Sequence, residues 1–309
     1  LTPYKGGEYW TKLEASAGGG TAPDVFWLNV LHLDSYVEGG ILDDLSDAIA
    51  SSDIKDNFAE TLVNNYVRDG KNYAVPKDFD TNALWYNKDL FDQAGVEYPT
   101  DDMTYDDLVA LATELKDKLP DGVYPFACPV DFQTWYYQTV YANGGWILND
   151  DATETGYGDA KTQEGIQCWI DMIDAGLSPS ASTLSETGSD AMFEGEQIAM
   201  TLAGSYMVPE YASNDTIKDK IDCVEVPTFN GVEDNCINGL GFAVYEGSKQ
   251  KEEAEKFAIW MGSSEAQQIQ GETGVVISAR EDAQQYFAKA NGQYNLAAYT
   301  NHSCLLYTS

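Results

Sequence analysis

Residues 69–115 read DGKNYAVPKDFDTNALWYNKDLFDQAGVEYPTDDMTYDDLVALATEL, and this stretch decides the fold. Residues 73–75 read as a strand, Asp78 and Asp80 as an acidic turn, and residues 83–86 as a second strand. The second strand runs straight into a helix start, Tyr86-Asn87-Lys88-Asp89-Leu90-Phe91. Further on, Thr104 stands three residues ahead of Asp107, a start resembling a capping box. Leu108, Leu111, Ala112 and Leu115 then recur at i, i+3, i+4 and i+7, one apolar face of a helix.

The same alternation of strand and helix continues outward. Residues 8–17 read as a helix broken by Gly18-Gly19-Gly20, residues 24–27 as a short buried strand, and residues 33–38 as a helical turn closed by Gly39-Gly40. The helical template fits Ile166, Trp169, Ile170 and Ile173, and again Ala254, Phe257, Ala258 and Met261. Residues 198–202 and 241–245 read as strands. This alternation predicts α/β units with mostly parallel sheets.

With 309 residues the chain is long enough for two such units and a sizeable core. Its 43% apolar and 22% charged residues are those of a globular protein. The net charge is −34, from 51 acids against 17 bases. A polyanion repels phosphate backbones and anionic membrane surfaces, so nucleic acid is excluded as a partner. A solvated, secreted surface explains this charge, and a cationic ligand is the sharper alternative. No apolar run reaches the ~18 residues of a membrane span.

The cysteines lack metal-ligand spacing. Cys128 and Cys168 read as small buried hydrophobes. Cys223 and Cys236 flank a glycine-containing connection, where a disulfide is permitted but not established by spacing. Residues 304–309, Cys-Leu-Leu-Tyr-Thr-Ser, break the acidic style of the chain and resemble a translated sequencing adapter. They are set aside as a non-native tail, and His302 beside them is discounted. His32 then remains as the one candidate histidine, with no GxSxG to accompany it. Neither HExxH nor a phosphate-cradling glycine loop occurs, so no metal or cofactor is expected.

Several segments resemble one family in order and spacing. They are Gly20-Thr21-Ala22-Pro23-Asp24-Val25-Phe26, the block at 69–115, Asn143-Gly144-Gly145 and Phe193-Glu194-Gly195-Glu196-Gln197-Ile198-Ala199-Met200 with Gly204-Ser205-Tyr206. Glu253-Ala254-Glu255-Lys256-Phe257, Ser264-Glu265-Ala266-Gln267 and residues 274–280 continue the series. Together they resemble extracellular solute-binding protein family 1, the maltose-binding-protein-like sugar-binding component of ABC importers. The departures are Tyr206 where the family usually has Trp, and Ser278 where it commonly has Pro. Relative to the family, a strand and helix before residue 1 and the last helices after Asn301 are absent. A fragment of a longer product, truncated at both ends, is therefore expected.

The resemblance implies a two-lobe, periplasmic-binding-protein-like (type II) α/β fold with a hinge and an interlobe cleft. Lobe one would take residues 1–80 and 241–283, and lobe two residues 83–237 and 284–303. Asp80-Thr81-Asn82 and Asn238-Gly239-Leu240-Gly241 would be the crossings, although glycines in strands more often mark bulges.

It also implies a carbohydrate ligand, which needs flat aromatic platforms and a few fixed polar groups. Trp27 and Asn29 follow the first buried strand, at the end that lines crevices in open α/β sheets. Core packing for Trp27 and a turn role for Asn29 are the plainer readings. Asp80 aligns with an acidic cleft residue of maltose-binding relatives, against a plain role as a turn carboxylate; Asp78 is the weaker candidate. Trp135 is the chosen platform among Phe132, Trp135, Tyr136 and Tyr137, which cannot all face one side of a helix. Tyr206 holds the position of the family's cleft Trp, and Asn238 and Gly239 would offer amide and backbone groups. Arg280 would grip a hydroxyl or form a structural ion pair.

The partners implied are an oligosaccharide and the membrane subunits of an ABC permease, with the protein a monomer, outside the cytoplasm, as a cell-surface lipoprotein or in the periplasm. Catalysis is not expected. Two rivals stay open: a glycoside hydrolase using a carboxylate pair, and the same fold binding a peptide or polyamine.

Overall fold

A computed structural model describes residues 6–128, 133–149, 153–301 and 304–307, with only the backbone of residues 6, 7, 133–135, 234 and 304–307. The chain divides into two compact units. One comprises Leu1–Phe79 and Gly239–Phe287, the other Asp80–Asn238 and Ala288–Thr308.

The first unit begins with helix α1 (Gly6–Gly18), strand β1 (Val25–Asn29) and helix α2 (Leu33–Glu38), then reaches β2 (Val75–Pro76) and β3 (Asp78–Phe79). The second opens with β4 (Asn82–Asn87), α3 (Lys88–Ala94) and α4 (Tyr105–Lys116), followed by β5 (Tyr124–Ala127), α5 (Gln133–Ala142) and α6 (Ala160–Asp174). Strands β6 (Ile198–Gly204), β7 (Ile221–Val224) and β8 (Asp234–Ile237) lead back to the first unit. There β9 (Leu240–Val244), α7 (Lys251–Met261), α8 (Ser264–Glu272) and β10 (Ile277–Ser278) follow, and β11 (Cys304–Tyr307) comes last.

In the first unit the sheet order is β1-β9-β2, and β3 pairs with β10. Its core holds Phe26, Leu28, Leu33, Tyr36 and Ala243. In the second unit the order is β5-β6-β4-β7, over a core of Leu84, Phe91, Leu108, Phe126, Trp169 and Met200. Local chemistry sets the helix ends there. Asn87 caps α3, accepting from the amide of Leu90 at 3.2 Å, and Gly95 closes it at φ +62°. Thr104 and Asp107 form the expected capping box on α4, each side chain taking the other's amide.

The sheets are not mostly parallel. Only β5–β6 among the pairings of the two main sheets is parallel; β1–β9, β9–β2, β4–β6 and β4–β7 are antiparallel. The reason lies in where strands enter. Both β4 and β9 start where the chain arrives from the other unit, so they run against neighbours whose carboxyl ends point to that same edge.

Two helix faces also differ from the sequence pattern. On α6 the buried positions are Thr162, Gly165, Trp169 and Met172, while Ile170 is exposed. A Cβ on Gly165 would lie 2.7 Å from the Thr139 carbonyl and from Val140 Cα, so close approach to α5 selects this face. On α7 Ala254 and Ala258 are buried, but Phe257 is exposed and stacks on exposed Trp260 with centroids 5.9 Å apart.

Cys223 and Cys236 form no disulfide. The Cys223 thiol donates to the Asn295 carbonyl at 3.2 Å instead. Burial pushes the Cys128 and Cys168 thiols up to about 12, which keeps them unreactive. Residues set aside as a tail do enter the backbone pairing: β11 runs parallel to β8, with Asp234 opposite Cys304.

Candidate functional site

Each unit carries candidate residues at the edge where the chain enters and leaves it. In the first unit Asn29, the last residue of β1, pairs with Leu240, the first residue of β9. Trp27 points away from the core on β1 and is 47% exposed. The Tyr9 hydroxyl donates to its carbonyl at 2.7 Å, and the two rings lie 6.4 Å apart. Burial holds that phenol up at about 12, so it stays a donor. Asn29 accepts from the amide of Leu31 at 3.0 Å and caps the short 3₁₀ turn Val30–His32.

Gly239 is the first residue of the return into this unit. A Cβ there would sit 2.5 Å from the Asp78 carbonyl, so only glycine allows the two backbone segments this approach. Asp78 bonds across the same place: its Oδ1 accepts from the amide of Leu240 at 2.9 Å. Lys77 is buried at 6% exposure and ion-pairs with Asp78. Its Nζ lies 4.7 Å from the centre of the Trp27 ring.

Arg280 is only 4% exposed. Its Nη2 meets Asp53 at 2.9 Å and its Nε meets Asp282 at 3.0 Å, so it forms the structural ion pair rather than an open hydroxyl grip.

In the second unit Gly204, the last residue of β6, pairs with Asn82, the first of β4. Asp80 and Asn238 form a two-way bridge: Asp80 N donates to Asn238 O at 2.7 Å and Asn238 N to Asp80 O at 3.1 Å. Just past β6, Tyr206 is 41% exposed. Its ring rests on Gly204, where a Cβ would lie 2.3 Å from Cε1, and Asp80 Oδ2 is 3.2 Å from the same point. Asp80, Gly204 and Tyr206 thus form one cluster. Below it the Ser205 amide donates to Thr81 O at 3.1 Å, and the Thr81 hydroxyl donates to Tyr299 O at 2.6 Å. Tyr299 also accepts the Trp85 indole N–H and donates to Ala203 O at 3.1 Å, bracing the cluster from the buried side.

Trp135 lies on α5 with its side chain outside the described residues, and Phe132 is outside them altogether. Tyr136 and Tyr137 stand edge to face, 5.0 Å apart at 90°. The Tyr136 hydroxyl meets that of Tyr157 at 2.8 Å. Sequence reasoning missed Tyr9, Lys77 and Tyr157, since no local spacing links them to the platforms. Among the described residues no group of three His, Cys, Asp or Glu lies close enough to hold a metal ion, and no helix is long and apolar enough to cross a membrane.

The profile of the bacterial extracellular solute-binding protein family matches residues 1–268. An ABC substrate-binding protein from Listeria monocytogenes, solved in complex with cycloalternan, is 30% identical, with a TM-score of 0.88 over 100% of this chain and 80% of that one. A binding protein of Brucella abortus is 27% identical over 303 residues, covering 94% of this chain and 70% of its own. The diacetylchitobiose-binding protein of Streptomyces coelicolor is 27% identical over 260 residues, 80% of this chain and 58% of its own. On the strength of the profile match across most of its length, this chain belongs to the bacterial extracellular solute-binding protein family.

Proposed function

We propose that this protein binds a neutral oligosaccharide outside the cytoplasm and delivers it unaltered, as a monomer, to the membrane subunits of an ABC importer. The observation that carries the reading is the paired placement of exposed aromatics. Trp27 in one unit and Tyr206 in the other each stand beside the carboxyl end of a strand that abuts an entering strand. Flat rings suit the C–H faces of a sugar, and the Asp80 carboxylate beside Tyr206 suits its hydroxyls. Relatives named for cycloalternan and diacetylchitobiose support the ligand class.

The two backbone crossings, Phe79 to Asp80 and Asn238 to Gly239, act as the hinge in this reading. A sugar that touches both units shifts the population toward a closed form, which the permease recognises. Transport then needs a separate ATPase. Anchoring as a cell-surface lipoprotein, or retention in a periplasm, belongs to the same proposal.

A polyamine is disfavoured because Trp27 already holds a cation, the Lys77 ammonium, on its ring. A thermal-shift panel of malto-, arabino- and chito-oligosaccharides against spermidine tests this directly. A neutral sugar at ~100 times its dissociation constant stabilises by about 2.7 kcal/mol. Stabilisation by spermidine alone refutes the proposal. So does mass-spectrometric detection of a cleaved sugar after incubation with excess protein, which makes the protein a glycoside hydrolase.

A further inference from the structure

We propose that Lys77 is the positioning residue for the Trp27 platform, its ammonium holding one face of the indole so that the opposite face is presented to sugar. This rests on the reading of Trp27 as a sugar platform. Trp27 remains 47% exposed although a cation sits 4.7 Å from its ring centre. Lys77 covers ring area on its own side, and the Tyr9 ring, 6.4 Å away and tilted 40°, is the other aromatic beside it.

The ammonium is itself fixed. Lys77 is buried and paired with Asp78. Its amide donates to Leu240 O at 2.8 Å, and its carbonyl accepts from Gln270 Nε2 at 2.8 Å. Asp78 is tied to the same strand through the Leu240 amide. The cation therefore cannot leave the indole without abandoning a buried carboxylate. A buried Lys–Asp pair contributes little net stability over an apolar pair of similar size. Stability is thus a weak reason for this pair, and ring placement a specific one. Neither the aromatic count nor local spacing singles out Lys77, because a lysine beside an acidic turn reads as solvated.

The test combines Lys77→Met with Asp78→Asn, which removes both charges and keeps an oxygen for the Leu240 amide. Trp27 emission is isolated as the difference between each protein and its Trp27→Phe counterpart. Acrylamide quenching of that component should rise once the fixed cation no longer holds the ring, since methionine fills the space but does not pin the indole. Affinity for maltotetraose should fall about three- to tenfold. That fall should vanish in the Trp27→Phe background, and Lys77→Arg, which keeps a cation, should restore both readouts. Unchanged quenching overturns the proposal, as does an equal loss of maltotetraose affinity with and without Trp27. The quenching arm needs no sugar. It decides the positioning even where wild-type protein ignores maltotetraose, a result that counts against the carbohydrate reading alone.

Discussion

Replacing Gly204 by alanine separates binding from stability in a way few substitutions do. The backbone at Gly204 has φ −70° and ψ 156°, open to any residue, so its glycine is required by what covers it. The cover is the Tyr206 ring, whose Cε1 and Cδ1 lie 2.3 and 2.7 Å from the new Cβ. Ordinary contact begins at 3.4 Å, so the ring must withdraw by about 1.1 Å, the difference between 3.4 and 2.3. Tyr206 is 41% exposed, so the ring is expected to yield toward solvent rather than strain the core.

The folded protein then loses little, and the unfolded chain loses conformational freedom, a stabilisation of about 0.4–1 kcal/mol. The sugar site loses ring stacking of about 0.5–1.5 kcal/mol, plus a similar penalty to force the ring back. Affinity should fall roughly five- to 150-fold, the equivalent of about 1–3 kcal/mol, while stability holds or rises. Isothermal titration with the best oligosaccharide of the panel, set beside urea unfolding, measures both. Unaltered affinity would refute the role of Tyr206. A stability loss as large as the affinity loss would refute the argument that the ring yields at little cost.

At the return crossing, Gly239→Ala places a methyl 2.5 Å from the Asp78 carbonyl, backbone that cannot swing aside. It should destabilise by about 1–3 kcal/mol in urea unfolding, the opposite sign to Gly204→Ala. Arg280→Met strands two exposed carboxylates, Asp53 and Asp282, which water can solvate. A loss of about 0.4–2 kcal/mol is expected, from two pairs with exposed partners at about 0.2–1 kcal/mol each, with sugar affinity within about twofold of wild type. A selective loss of affinity would return Arg280 to the sugar site. His32 stacks on Trp10 at 4.2 Å, and burial lowers its pKa below the ordinary 6.5, against the opposing pull of Glu14. Its contribution to stability is present above 6.5 and is lost as pH falls through the lowered folded value. Melting temperatures from pH 7.5 to 5 should therefore drop less steeply for His32→Gln than for wild type.

Elements fixed by neighbours in sequence were legible in the sequence. Thr104 and Asp107 signal the start of α4 because both partners lie within one turn, and the apolar stripe behind them is buried as spaced except for half-buried Leu111. Tyr206 stands out by resemblance and Trp27 by its place after the first buried strand, and the exposure of both fits a surface role over a core role. What local pattern hides is set by distant partners. Arg280 reads as a grip or an ion pair until Asp53, 227 residues away, is seen on its guanidinium. The face of α6 turns on Gly165 meeting Thr139, and no periodicity encodes how near a second helix comes. Strand direction escaped for the same reason: the sequence of β4 does not say from which edge of the sheet it enters.

The register places each proposed platform next to the crossing of its own unit. Trp27 is two residues from Asn29, which pairs with the first residue of β9; Tyr206 is two residues past Gly204, which pairs with the first residue of β4. No flexible segment separates either ring from the strand next to its crossing. If the crossings hinge as proposed, a torsional change at Asp80 or Gly239 would turn each ring with its own sheet and leave its supports in place, Tyr9 and Lys77 for Trp27 and Gly204 for Tyr206. Side chains borne on loops would lose their aim on such a rotation. Rings seated on or just beyond such strands would keep theirs, which is what the proposed hinge closure asks of each unit by itself.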